Sequence, residues 1–407
     1  MAAIPASADI ITEPSDEAAY LFDQSVVRTY NIVIAAADLQ KISLQPSAEM
    51  FVPATLEFEG KTLGPFNVRY KGNSWSAPCT TGARDAPKDG KCSMKLDFNA
   101  QDPNARFFGL KKLDFHSMNN DVSMLRDRLG YSLFREMGIA APRSAHARLL
   151  INGKLEGLFI AVEHVDGTFT RARFKDGGKG NLYKEVWPVY SEDSVYLEKL
   201  VTNEKDQPTV QGMLAFKAAV DRGPEAVKTM VDRDYLLRYL AVDRVIINDD
   251  GALHFWCDGP GTTAYNGNIY WYEAPSHDKF WLVPWDLDES FDGFPAGRIS
   301  PEWSKTAACS CSGSGSLWSL PAACDKLTQT LISWLPDYRA QTDAFVAGPF
   351  AAAAVDAKLS AWSQQIAPFV EEAAGKNQSP TTTDWRAALT ELRAIIASAR
   401  EHRGYAY

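Results

Sequence analysis

The sequence predicts an α+β chain, with a β-rich N-terminal lobe over residues 21–187 and a mainly helical C-terminal lobe over residues 188–407. Three observations lead there. Apolar and polar residues alternate with a period of two through most of the first half, as in half-buried strands. In most of the second half the apolar residues recur at helical spacing instead. A chain of 407 residues with 45% hydrophobic content is also long enough for two cores.

Residues 1–20 are small, acidic and Pro-containing, and read as a flexible N-terminal arm. "VVRTYNIVI", "ATLEFEG", "FNVRYKG" and "CSMKLDF" alternate as strands should. "HARLLINGKLEGLFIAVEHV" adds two strands around an Asn-Gly hairpin turn. One long helix interrupts them, starting near the capping stretch "NNDVS", running through "MLRDRLGYSLFREMG" and stopping at Gly138. Past residue 190, "TVQGMLAFKAAVD", "PEAVKTMVD" and "DRDYLLRYLAVDRVIIND" carry helical apolar faces. Segment 245–293 reads as two strands around a Gly-rich loop. The connector "CSCSGSGS" then leads to further helices ending in "WRAALTELRAIIASAREHR".

The bulk properties exclude several classes. A net charge of −9 with no basic run speaks against nucleic acid as a partner. No apolar stretch approaches the eighteen or so residues of a membrane span. The first basic residue is Arg28, so the beginning lacks the pattern of a leader; either the protein stays inside the cell or a leader was removed. Six cysteines lean towards an extracytoplasmic or secreted location, with the cytoplasm not excluded. Cys79 and Cys92 bracket a polar loop that suits a disulfide, whereas Cys309, Cys311 and Cys324 match no strong zinc spacing. His116, His146, His164, His254 and His277 show no paired ligand pattern and read as structural, His254 excepted for its nearness to Asp250.

The acids of "FWLVPWDLDES" carry the chemistry. On a strand, Asp286 and Asp288 would share a face, where two carboxylates repel unless a divalent cation, a shared proton or solvent relieves them. Upstream, "VIINDDG" runs an apolar segment into Asp250 beside Gly251, which is either a turn or an acid facing a cleft. "YNGNIYWYEA" sets Asn268 just ahead of an aromatic strand. An acid, then an Asn, then an Asp is the order of catalytic base and two metal ligands in protein kinases.

Several stretches together resemble the CotH kinase family, the spore-coat-protein-H type of atypical protein kinase. They include "VRYKGNSW", "KCSMKLDF", "RFFGLKKLDFHS", "DVSMLRDRLGYSLFREMGIAAPRSAHARLLINGKLEGLFIAVEHVD", "GNLYK", "INDDG", "GNIYWYE" and "FWLVPWDLDESF", in the family's order over roughly residues 20–400. The resemblance implies a two-lobed atypical protein-kinase-like fold and ATP-dependent phosphoryl transfer to protein Ser or Thr, with Mg²⁺ or Mn²⁺. It assigns Asp250 as the catalytic acid that orients the acceptor hydroxyl, Asn268 and Asp286 as metal ligands and Asp288 as their helper. For the nucleotide the candidates are Arg69, Lys71, Lys91, Lys95, Lys184, Glu163 as an ion-pair partner, and Trp281 or Trp285 as a stacking ring. The chain departs from the family's pattern in the seventeen residues "GALHFWCDGPGTTAYNG" between Asp250 and Asn268, which must loop aside, pinned by Cys257 to Cys309, Cys311 or Cys324. It departs again at Asp97, where relatives more often carry a base. Two other readings compete: a kinase-like coat or binding protein without catalysis, and a glycoside hydrolase using Asp250 with Asp286 or Asp288.

Overall fold

The computed structural model describes residues 9–72, 79, 87–205, 208–259, 262–292, 309–314 and 317–403. Seven strands, β1 (Arg28–Ile34), β2 (Val52–Phe58), β3 (Lys61–Lys71), β4 (Ser93–Asp97), β5 (Lys112–His116), β6 (Ser144–Ile151) and β7 (Lys154–Glu163), close into a barrel in the order β1-β2-β3-β4-β5-β7-β6. The closing pair, β1 with β6, is parallel, with Arg28 opposite Ala147, while the other pairs are antiparallel. The Asn-Gly hairpin falls where the sequence places it: Asn152 and Gly153, both at positive φ, link β6 to β7.

Alternation fills the barrel. Val68 and Tyr70, Met94 and Leu96, Leu113 and Phe115 point inward and are buried. Fully burying such a side chain contributes roughly 1.5–3 kcal/mol. The opposite faces of these three strands carry Arg69 and Lys71, Ser93 and Lys95, and Lys112, Asp114 and His116. On β7 both faces are apolar: Phe159 and Ala161 join the barrel interior, and Leu158, Ile160 and Val162 join a second core with the helices.

Two short helices, α1 (Ala36–Leu44) and α3 (Gly167–Arg173), accompany the expected long one, α2 (Arg126–Glu136), so the first half is less purely strand than its alternation suggests. Asp121 from the predicted capping stretch accepts the Arg126 N–H at 2.8 Å, although Leu125 is the residue preceding α2. Beyond lie β8 (Asn181–Lys184), α4 (Asp193–Lys199), α5 (Gln211–Arg222), α6 (Pro224–Met230), α7 (Arg233–Val245), β9 (Phe255–Cys257), β10 (Ile269–Glu273), β11 (Phe280–Pro284), β12 (Ser312–Ser314), β13 (Leu317–Leu320), α8 (Lys326–Ile332), α9 (Leu335–Ala347), α10 (Ala352–Ala373) and α11 (Thr382–His402). β8, β10 and β11 form one three-stranded sheet, and β9, β13 and β12 another.

Residues 9–20 lie against the body. Ile10 is buried beside Phe174, Glu13 pairs with Arg135 at 2.6 Å, and Asp16 pairs with Arg143 at 2.6 Å. All six cysteines are paired, as Cys79–Cys92, Cys257–Cys311 and Cys309–Cys324. Among the described residues no single helix is long and apolar enough to cross a membrane.

Candidate active site

A cleft of about 550 Å³ opens beside the charged outer face of β3, β4 and β5, and its opposite wall is built from the segments that follow α7 and β11. Asp250, Asn268, Asp286, Asp288, Arg69, Lys71, Lys95, Lys184 and Trp285 all line it.

Asp250 sits in the turn that leaves α7. Ile247 there adopts a left-handed φ of 53°, costly for a β-branched residue, and the turn is held by Asp243 of the helix, whose Oδ1 accepts from Asn248 at 2.9 Å. Both Asp250 oxygens are engaged: Oδ1 accepts from Trp256 Nε1 at 2.6 Å and Oδ2 from Asn268 Nδ2 at 2.6 Å. Burial pushes the Asp250 carboxyl up to about 7, opposed by the Trp256 bond and reinforced by Asp286, Glu289 and Asp249. The described residues of this intervening stretch do fold aside. Their strand β9 pairs with β13, Cys257 is bonded to Cys311, and Asp250 and Asn268 come into contact across them.

Asp286 and Asp288 reach the cleft by a route other than the shared strand face expected of them. β11 ends at Pro284, and Asp286 turns left-handed at φ 49° into the Leu287–Ser290 turn. Helix α2 holds that turn: the Asp286 N–H donates to Tyr131 Oη at 2.9 Å, the Leu287 N–H donates to Asp127 Oδ1 at 2.9 Å, and Arg126 donates to the Asp288 carbonyl at 3.2 Å. The turn packs closely on Gly130, where a Cβ would come within 2.9 Å of Leu287 Cδ1 and 3.2 Å of its Cβ. Asn268 is left-handed too, and its carbonyl accepts from the Trp285 N–H at 3.0 Å, which ties the two acid-bearing segments together. Burial, then the charges of Asp286, Asp127, Glu289 and Asp121, hold the Asp288 carboxyl well above the usual carboxylate range.

Across the cleft, Lys71 closes β3. Its Nζ lies 2.9 Å from His116 Nε2, 3.8 Å from Asp114 Oδ1 and 4.7 Å from the centre of the Trp285 ring. Lysine only donates, so His116 Nε2 accepts and its Nδ1–H donates to Asp127 Oδ2 at 3.0 Å, with Asp286 Oδ1 a further 3.5 Å contact. Asp114 also binds His164 at 2.6 Å. Burial works against the Asp114 carboxylate, yet His164, Lys71 and Lys95 hold its carboxyl well below the usual range. Lys95 stands between Arg69 and Asp114 in strand register. Burial, with Lys112, Arg69 and Lys71 nearby, pulls its ammonium down to about 8. Arg69 is paired with Glu49, and Lys184 with Glu185.

Three nucleotide candidates lie elsewhere. Lys91 precedes β4 and swings inward under Phe159, donating to the Leu158 carbonyl at 3.2 Å. Glu163 is paired with Arg143 and Arg173 in a buried cluster. Trp281 packs against Phe174 and Tyr272 in the core. Asp97, the second departure, is outside the lining as well.

Sequence reasoning missed Asp114, His116, Asp127, His164 and Trp256. For two of these the signal was present, because strand alternation in "KLDFH" puts Lys112, Asp114 and His116 on one face, away from Leu113 and Phe115. For His116 and His164 the spacing of zinc ligands carries no signal, because their partners are Lys71, Asp127 and Asp114.

Among the described residues no set of three or more His, Cys, Asp or Glu side chains is arranged to hold a metal ion. The donor set nevertheless fits a hard cation that keeps water and phosphate oxygens in its shell. Asp286 is 37% exposed towards the cleft, and the Asn268 side chain spends only its Nδ2 on Asp250, leaving its Oδ1 for a ligand.

Comparison with known proteins bears on this geometry. A family model described as CotH kinase protein matches residues 68–402. The inner spore coat protein H of Bacillus subtilis (strain 168) is 25% identical over 286 residues, which cover 66% of this chain and 70% of that protein.

Proposed function

The chain belongs to the CotH kinase family, and from that premise we propose that it transfers the γ-phosphoryl group of ATP to Ser or Thr hydroxyls of a protein acceptor. The observation that carries this reading is the meeting of Asp250, Asn268 and Asp286 in one cleft, opposite Lys71. In this proposal the barrel side and the helical side, divided near residue 187, act as the two lobes of an atypical protein kinase.

Lys71 and Lys95 would bind phosphate oxygens, with His116 and Asp127 keeping Lys71 in place. Asn268 and Asp286, helped by Asp288, would hold Mg²⁺ or Mn²⁺, which neutralises charge on the phosphates when bound. Asp250 orients the acceptor hydroxyl and takes its proton. The hydroxyl oxygen forms its bond to the γ-phosphorus as the bond to the bridging oxygen breaks, and ADP leaves. Three disulfides support an extracytoplasmic setting.

The test is incubation with labelled ATP, Mg²⁺ or Mn²⁺ and a Ser-rich protein, with Asp286→Ala as the control. Label on the acceptor with wild type, reduced by roughly 10²–10³-fold in the variant, is the expected result. Equal labelling by both removes the role given to Asp286. The relative's name as a coat protein favours a second reading, a kinase-like structural protein without catalysis. No transfer and no nucleotide-dependent rise in unfolding temperature with metal present would select it.

A further inference from the structure

We propose that Trp256, carried on the insertion that separates Asp250 from Asn268, is a positioning residue for Asp250, and that the Cys257–Cys311 disulfide holds it there. The inference deepens the phosphoryl-transfer reading and rests on it for the role of Asp250. It starts from the geometry of one carboxylate. An aspartate side chain turns about two bonds, and a single hydrogen bond leaves the carboxylate plane free to swing. Here the two oxygens are held from two sides, Oδ1 by the Trp256 indole N–H and Oδ2 by the Asn268 amide, each at 2.6 Å. The plane is thereby fixed, and the remaining lone pair on each oxygen has a set direction. Of the two donors, Asn268 has a second role in the proposed function, as a metal ligand, so the indole is the one whose task is orientation alone.

The indole is itself held. Its ring stacks on His254 with centroids 4.0 Å apart and planes 29° apart. The Trp256 backbone N–H donates to the Tyr265 carbonyl at 2.7 Å, and the Trp256 backbone carbonyl accepts from the Tyr265 N–H at 2.9 Å, so the insertion doubles back on itself. Asn266 closes its base by donating to the Ala252 carbonyl at 2.7 Å. On its other edge Trp256 pairs with Ser319 of β13. The next residue, Cys257, is bonded to Cys311, 54 positions along the chain. A segment that looks in sequence like an obstacle between two functional residues is instead braced, and the Trp256 side chain on it reaches the acid. Misplacing a reacting group by about 1 Å costs on the order of 10² in rate, which sets the scale of what this segment controls.

The decisive variant is Trp256→Phe, which keeps an aromatic ring against His254 while losing the indole N–H together with part of the ring. Its kcat should fall roughly 10- to 100-fold while KM for ATP changes less than about twofold, because the phosphate-facing cations are across the cleft. Cys257→Ala with Cys311→Ala should lower kcat in the same sense by a smaller factor. An unchanged kcat in Trp256→Phe overturns the proposal. So does a loss matched by an equal rise in KM and a lower unfolding temperature, which would make Trp256 merely structural.

A readout without turnover separates this inference from the reading it rests on. In a ¹H–¹⁵N spectrum the Trp256 indole peak, assigned sequentially in the wild-type chain, should move upfield in Asp250→Ala further than the peaks of the other tryptophans, because its charged acceptor is gone. A peak that stays in place overturns the contact whether or not the protein is a kinase. A wild type that transfers no phosphate but shows the shift removes the phosphoryl-transfer reading and leaves the clamp standing.

Discussion

Glu163 and Asp288 are both carboxylates withdrawn from bulk water, yet they sit in opposite surroundings. Around Glu163, Arg143 donates at 2.8 and 3.1 Å and Arg173 binds from a second side, while Asp16 balances Arg143. Burial alone would raise the Glu163 carboxyl, but the two arginines outweigh it and lower it. Around Asp288 the near charges are Asp286, Asp127, Glu289 and Asp121, and its carboxyl is driven up. Arg126 lies close, but it is spent on Asp292, on Asp121 and on the Asp288 backbone carbonyl. A site that had only to be stable would resemble the first cluster. The second keeps its repulsion, as the cation site proposed above would require.

Removing one partner is the sharpest way to break this comparison. Glu163→Ala leaves Arg143 and Arg173 buried without their shared acid and should cost about 3–5 kcal/mol, read as a lower urea midpoint with an unchanged slope. A loss within about 0.5 kcal/mol would mean the two clusters do not differ as described.

The second effect concerns ligand. Mg²⁺ or Mn²⁺ with ATP, supplied at a hundredfold excess over its dissociation constant, should stabilise the wild type by about 2.7 kcal/mol. The gain should shrink sharply in Lys71→Met and Asp286→Ala and persist in Glu163→Gln, measured by thermal unfolding with and without ligand. A persistent gain in Lys71→Met would move the phosphates away from β3.

Acid separates the clusters by sign. Because the folded Glu163 carboxyl lies below its unfolded value of about 4.3, its contribution is complete above that pH and is lost as the pH falls through the lower folded value. The wild type should therefore lose stability below about pH 4 more steeply than Glu163→Gln, which starts weaker but has no such group to protonate. Parallel urea-midpoint curves for the two proteins would show that Glu163 is not held low.

How far these features could be read in the sequence depends on their range. The strands of the barrel and the faces of α2, α5 and α7 follow from local periodicity, but closure through β1 and β6 pairs residues more than a hundred positions apart, and no local pattern encodes it. Asp250, Asn268, Asp286 and Lys71 were legible as chemistry, and the fold does bring them together. Asp286 and Asp288 reach the cleft not from the strand face that alternation predicts but from a left-handed turn packed on Gly130. Lys91 and Glu163 carry the right charge in plausible stretches and still point away. Lys91 lies just before β4 begins, outside its alternation, and Glu163 is drawn off by Arg143 and Arg173. Asp127, on an ordinary amphipathic helix, acts through Leu287, 160 positions away, whereas Trp256 is only six positions from Asp250 but reaches it from inside an insertion that no periodicity marks.

The smallest expected effect has the opposite sign from the largest. Asp288→Asn keeps the shape of the side chain while removing the charge that these surroundings disfavour, so the comparison is made at a pH above the raised Asp288 value. The Asp288 carboxylate has little to lose by it, since its near polar contact is Asn120 Nδ2 at 3.5 Å, and Asn120 holds Glu289 at 2.9 Å in any case. Without metal the variant should be more stable than wild type by about 1 kcal/mol, the size of gain usual when a functional site gives up a strained group. With metal and ATP the order should reverse, because the wild type gains from binding and the variant gains less. If Asp288→Asn is destabilising without metal, the acids around it are not repelling one another, and the contrast with Glu163 fails at its functional end.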